Sequence, residues 1–140
     1  MGGPDMAPQP PPTLGSAPAE PWRSSAAEVI AVVKDLFFVA RIRETARLAG
    51  VPLSFARSPE ELTTALAARP RLVLLDLTAG FDYERLFAAL PAGARPQLLA
   101  FTTHALARET QPWHARCDRV VTKETLTQEL PTFLQRGLTP

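Results

Sequence analysis

The chain has 140 residues and a formal net charge of +1, enough for one domain with a single core and too little charge to argue for nucleic acid or a membrane surface as partner. Its one cysteine, Cys117, excludes an internal disulfide and a multi-cysteine zinc site and fits a reducing compartment. No stretch approaches the ~18 apolar residues of a membrane span, and the start lacks the basic and apolar regions of a secretory signal, so the expectation is a soluble, cytoplasmic protein.

Residues 1–26 hold Pro4, Pro8, Pro10, Pro11, Pro12, Pro18 and Pro21 among Gly, Ala and Ser. Such a segment cannot bury enough apolar area to order itself, which predicts a disordered Pro-rich tail ahead of a folded domain at 27–140. Trp22 is its one anchor for folding back, and Pro10-Pro11-Pro12 is a weak polyproline II ligand. The domain then alternates. Val29-Ile30-Ala31-Val32-Val33 predicts a buried strand, and Asp35 caps a helix over 36–49 that Gly50 stops in a left-handed turn. Phe38, Ile42, Ala46 and Ala49 line its inner face, while Arg41, Arg43 and Arg47 share the wet one. A second strand spans 53–56. Ser58-Pro59-Glu60-Glu61 is a capping box with proline first in the helix, which turns Leu62, Ala65 and Leu66 inward.

Leu72-Val73-Leu74-Leu75-Asp76 is an apolar run closed by a single carboxylate, a third strand buried on both faces. A short helix over 83–90 stops at Pro91, and a fourth strand covers 97–102. Residues 104–109 are weakly helical, and a fifth strand at 119–122 ends at Lys123. The last helix is expected around 128–136, with Pro131 in its first turn or kinking it. Five strands alternating with helices predict the α/β class, a doubly wound parallel sheet covered on both faces.

The polar residues that close these strands carry the chemistry. Lys34 and Asp35 follow the first, Asp76 ends the third, Thr102 and Thr103 end the fourth, and Lys123 follows the fifth. A right-handed doubly wound sheet brings them to one edge, where ligands sit in open α/β folds. Asp35 and Asp76 can hold a divalent cation, and one carboxylate can accept a phosphoryl group held by ammonium and hydroxyl.

With Asp35, Leu-Val-Leu-Leu-Asp at 72–76, Phe-Thr-Thr-His at 101–104 and Asp-Arg-Val-Val-Thr-Lys at 118–123, the chain resembles the receiver domains of bacterial response regulators over residues 28 to about 137. The key positions are 41, 26 and 21 residues apart, near the family's spacings. The resemblance implies a flavodoxin-like sheet of order 2-1-3-4-5, with Asp76 as phosphoacceptor, Asp35 and Asp76 as magnesium ligands, Thr102 as switch hydroxyl and Lys123 as phosphate-pairing lysine.

Departures from the family pattern imply a degenerate member. Lys34 stands where a second acid is usual, so Lys34, Asp35, Asp76 and Lys123 sum to zero charge. Placing a cation instead of an anion ~5 Å from a divalent ion costs at least several kcal/mol at an effective dielectric of ~20. Thr103 is bulkier than the usual neighbour of the switch hydroxyl. Val120 replaces the aromatic or histidine of the fifth strand, and Glu124 the proline after the lysine. Thr78-Ala79 replaces a Met-Pro pair, and Leu36 and Phe37 could roof the pocket. Magnesium is expected to bind weakly or not at all.

Asp76 is read as a carboxylate neutralised by Lys34 or Lys123. His104 and His114 are too few for a zinc site, and Cys117 reads as a small buried hydrophobe. The leading expectation is a stand-alone signalling module, not an enzyme, that works by binding a partner protein without phosphorylation. A magnesium-dependent phosphoacceptor in a relay served by a histidine kinase is the rival, and a flavodoxin-like small-ligand binder the third reading. Nucleic acid and membrane are excluded as partners, the kinase and output are not identified, and the resemblance leaves a homodimer open.

Overall fold

Five short strands pair in parallel in the order expected: β2 (Leu53–Ala56), β1 (Val29–Val32), β3 (Leu72–Asp76), β4 (Gln97–Thr102) and β5 (Arg119–Thr122). The computed structural model describes residues 27–138 apart from Ala92 and Ala94, so the Pro-rich stretch, Trp22 and Pro10-Pro11-Pro12 lie outside the described residues. The connecting helices are α1 (Leu36–Ala49), α2 (Pro59–Ala65) with a 3₁₀ turn at Leu66–Ala68, α3 (Tyr83–Ala89), α4 (Ala107–His114) and α5 (Lys123–Arg136). Among the described residues no helix is long and apolar enough to cross a membrane.

The central strands β1, β3 and β4 are largely apolar on both faces because each face packs against helices. Val29, Ala31, Leu72, Leu74, Leu99 and Phe101 point to one core with α1 and α5, closed by Phe38, Ile42, Leu126 and Leu130. Ile30, Val32, Val73, Leu75, Leu98 and Ala100 point to the other, closed by Leu62, Leu86 and Phe87.

The local signals act as their chemistry dictates. Asp35 Oδ1 accepts from the Phe37 and Phe38 N–H groups at 2.9 and 3.1 Å, and Gly50 ends α1 at φ 69°. Ser58 caps α2 by accepting from Glu61 N–H. Glu61 reaches one residue further back than in the standard box, accepting from Arg57 N–H at 2.8 Å.

Two helices differ from expectation. Instead of a weak turn at 104–109, α4 runs from Ala107 through Pro112 to His114. Pro112 removes one helical N–H, but Trp113 holds the end down by packing on Tyr83 and Phe87 at 5.5 and 5.7 Å between ring centres. The last helix starts at Lys123 rather than 128, because Thr122 Oγ1 caps it by accepting from Thr125 N–H at 3.1 Å and Leu126 and Leu130 are buried. Pro131 therefore lies inside α5 and not in its first turn.

Gly137 ends α5 at φ 62°, ψ −141°, a region of backbone space open almost only to glycine. A β-carbon there would stand 2.5 Å from Gln97 Oε1, which is held in place by accepting from Leu138 N–H at 2.8 Å. Gly137→Ala is expected to cost about 1–3 kcal/mol of stability, read as a lowered urea midpoint. A midpoint equal to wild type would refute this account of the α5 terminus.

Candidate functional site

The carboxyl ends of the strands gather Lys34, Asp35, Asp76, Thr102 and Lys123 along one edge. Asp76 is the last residue of β3 and stands in register with Phe101; Thr102 ends β4 in register with Thr122, immediately before Lys123. Lys34 and Asp35 form the link from β1 to α1.

Asp76 is buried, with 6% of its surface exposed, and its polar partner is Thr78. Oδ1 accepts from both Thr78 N–H, at 2.7 Å, and Thr78 Oγ1, at 2.6 Å. This is an Asx-type turn, in which a carboxylate binds the backbone two residues on. Neither lysine forms an ion pair with Asp76, contrary to expectation. Lys34 Nζ lies 4.6 Å from the centre of the Phe81 ring, a cation–π contact across the loop after β3. Lys123 Nζ is 3.7 Å from Asp35 Oδ2 and 4.9 Å from the Phe38 ring centre. A third residue, Tyr83, fixes the turn: its hydroxyl donates to the Asp76 carbonyl at 2.7 Å and accepts from Ala79 N–H at 3.2 Å. Burial, reinforced by the Asp76 charge, pushes the Tyr83 phenol above its ordinary pKa, so it stays a donor at neutral pH.

Thr102 is buried and turned towards α4. Its Oγ1 accepts from Thr110 Oγ1 at 3.0 Å, and Thr110 Oγ1 is 2.8 Å from His114 Nε2. Asp35 faces its helix. Its carboxyl is held below the ordinary value first by the Phe38 N–H, and then, against slight burial, by the Lys123 charge. Leu36 and Phe37 do not roof the edge; they are 72% and 91% exposed because the inner face of α1 begins at Phe38. Cys117 is half-buried, its thiol pushed up to about 11 by burial and by Asp118.

A divalent cation asks for about six oxygen ligands, several of them carboxylate. Here Oδ1 of Asp35 serves the α1 N–H groups and Oδ1 of Asp76 serves Thr78, while Lys34 adds a positive charge at the β1–α1 link. Among the described residues no three His, Cys, Asp or Glu side chains gather. As arranged, this donor set does not fit a divalent cation.

Sequence reasoning missed Thr78 and Tyr83. Asp-x-Thr is a readable Asx-turn spacing, but Tyr83 carried no local signal, because its bond depends on where α3 docks.

No protein-family model and no curated protein matches the chain. A similar solved structure is the crystal structure of a response regulator (signal receiver domain) from Bermanella marisrubri. It is 18% identical with a TM-score of 0.62, over 81% of this chain and 99% of that one. The five-stranded 2-1-3-4-5 sheet and this likeness together give the chain the receiver-type, flavodoxin-like fold.

Proposed function

We propose that the chain is a receiver-like signalling module of the cytoplasm that acts by contact with a partner protein, without phosphorylation of Asp76 and without turnover of a substrate. The observation that carries this reading is the closure of Asp76 Oδ1 by Thr78, at 2.7 and 2.6 Å, in a buried turn locked by Tyr83. Two hydrogen bonds on Oδ1 draw electron density from the carboxylate and fix its orientation, and the charges that steady an incoming phosphoryl group are committed elsewhere. Lys123 is paired with Asp35 and Lys34 is laid on Phe81. Thr102, which would follow a phosphate, is hydrogen-bonded towards α4.

The rival reading, a phosphoacceptor in a relay, draws on Asp76, Thr102 and Lys123 sharing one edge. Incubation with a small acyl-phosphate donor and magnesium separates the two. The expected result is no acid-labile phosphate on the protein by intact-mass measurement. Stoichiometric phosphate that disappears in Asp76→Asn would overturn the proposal and establish the rival.

A further inference from the structure

At the other edge of the sheet, where the strands begin, four arginines from four separate segments line one cleft of about 870 Å³. Arg69 follows the 3₁₀ turn, Arg71 precedes β3, Arg95 precedes β4, and Arg136 ends α5. Asp76 lies five residue steps along the strand from Arg71, about 16 Å, so this cleft is remote from the carboxyl edge. Two of the guanidinium groups are anchored. Arg71 Nε donates to Glu28 at 3.0 Å and its Nη2 to the Leu134 carbonyl at 2.5 Å, and Arg95 grips Asp118 through two 2.9 Å bonds. The other two, Arg69 and Arg136, are exposed and in no ion pair among the described residues.

Four like charges at one concavity repel one another, and only two are answered by carboxylates. Arg69 carries a further cost. At φ 54° it is the one non-glycine residue with positive φ among those described, ending the 3₁₀ turn with its N–H bonded to the Leu66 carbonyl at 3.0 Å, which fixes where its side chain leaves the backbone. Guanidinium groups suit phosphate above other anions, since their planar N–H pairs bind two oxygens at once. Leu66, Pro70 and Pro96 supply an apolar wall beside them, and the volume lies within the range of small-ligand sites. From these observations we infer that the cleft binds a small ligand bearing two or more linked phosphate groups, of the size of a nucleoside di- or triphosphate. The anchored pair, Arg71 and Arg95, would orient the phosphates, and Arg69 and Arg136 would close on them from either side.

Titration calorimetry on the full chain tests this with pyrophosphate, ATP, inorganic phosphate and a short single-stranded RNA at moderate salt. One site is expected for pyrophosphate and ATP, with inorganic phosphate much weaker. Tighter binding of ATP than of pyrophosphate would place the nucleoside on the apolar wall; equal binding would show that the linked phosphates are what the cleft reads. Arg69→Asn, which keeps a residue tolerant of the left-handed turn, and Arg136→Gln should each weaken binding about tenfold. Arg108→Gln, on α4, should leave it unchanged. Arg136 is exposed and outside the strained turn, so its variant keeps the test decisive if Arg69→Asn does not fold. No saturable binding, binding indifferent to both substitutions, or binding of RNA alone would overturn the inference.

Discussion

Phe101→Ala is expected to lower the unfolding free energy by about 3–5 kcal/mol. Phe101 is 1% exposed in β4, with Asp76 beside it on β3 and Val121 beside it on β5. Its ring meets Phe38 edge-on, 5.2 Å between centres and 67° between planes. The void left by truncation cannot readily be filled from α1, because the Phe38 backbone is tied to the Asp35 cap at 3.1 Å. Limited relaxation pushes the cost towards the upper part of that range. Against a total stability of roughly 5–15 kcal/mol for a domain, the variant would stand near unfolding. The effect reaches the candidate site as well, since the Lys123 ammonium rests on the Phe38 ring that Phe101 supports. Urea denaturation should show a much lower midpoint with an unchanged slope. Phe37→Ala, one position before Phe38 but 91% exposed, should change stability by no more than about 0.5 kcal/mol. Equal losses for the two phenylalanines would contradict the packing of α1 on the sheet.

The contrast between Phe37 and Phe38 also shows which parts of the fold were legible. The central strands β1, β3 and β4 were readable because each is built on a run of four or more apolar residues, as a parallel sheet buried on both faces demands. The start of α1, its end and the start of α2 were readable from Asp35, Gly50 and Ser58, whose side chains or backbone act on neighbours within three or four residues. The start of α5 was not. Thr122 belongs to β5 by register and to α5 by its hydroxyl, so a strand residue is also the cap, and Lys123 opens the helix with no gap. The length of α4 was hidden for a different reason. Pro112 argues against a helix locally, and the ring packing that outweighs it comes from α3, far away in sequence.

At the site, the meeting of Lys34, Asp35, Asp76, Thr102 and Lys123 on one edge followed from topology, because each ends or follows a parallel strand. Their pairing did not. Choosing between Lys34, Lys123 and Thr78 as the partner of Asp76 depends on side-chain directions that strand order leaves open. The nearest donor along the chain took the place.

Lys34→Asp is expected to raise magnesium affinity on the order of a hundredfold. Lys34 is exposed, so the estimate uses the dielectric of water rather than that of an interior. At ~5 Å in water one unit charge and a divalent ion interact by about 1.7 kcal/mol, and reversing the charge doubles the change to about 3 kcal/mol. The substitution also lifts the ammonium from Phe81 and adds hard oxygen donors beside Asp35 and Asp76. Lys34→Ala, which removes the charge without adding donors, should gain only about tenfold. Trp113 reports the event, since it packs 5.5 Å from Tyr83, whose hydroxyl holds the Asp76 carbonyl. Its fluorescence should stay flat in wild type over a magnesium range that titrates Lys34→Asp, and the response should vanish when Asp76→Asn is added. A wild-type response matching that of Lys34→Asp would mean that the lysine does not silence the edge. No response in Lys34→Asp either would leave Thr78, which holds Asp76 Oδ1, as the remaining obstacle to metal, and Thr78→Ala as the variant to release it.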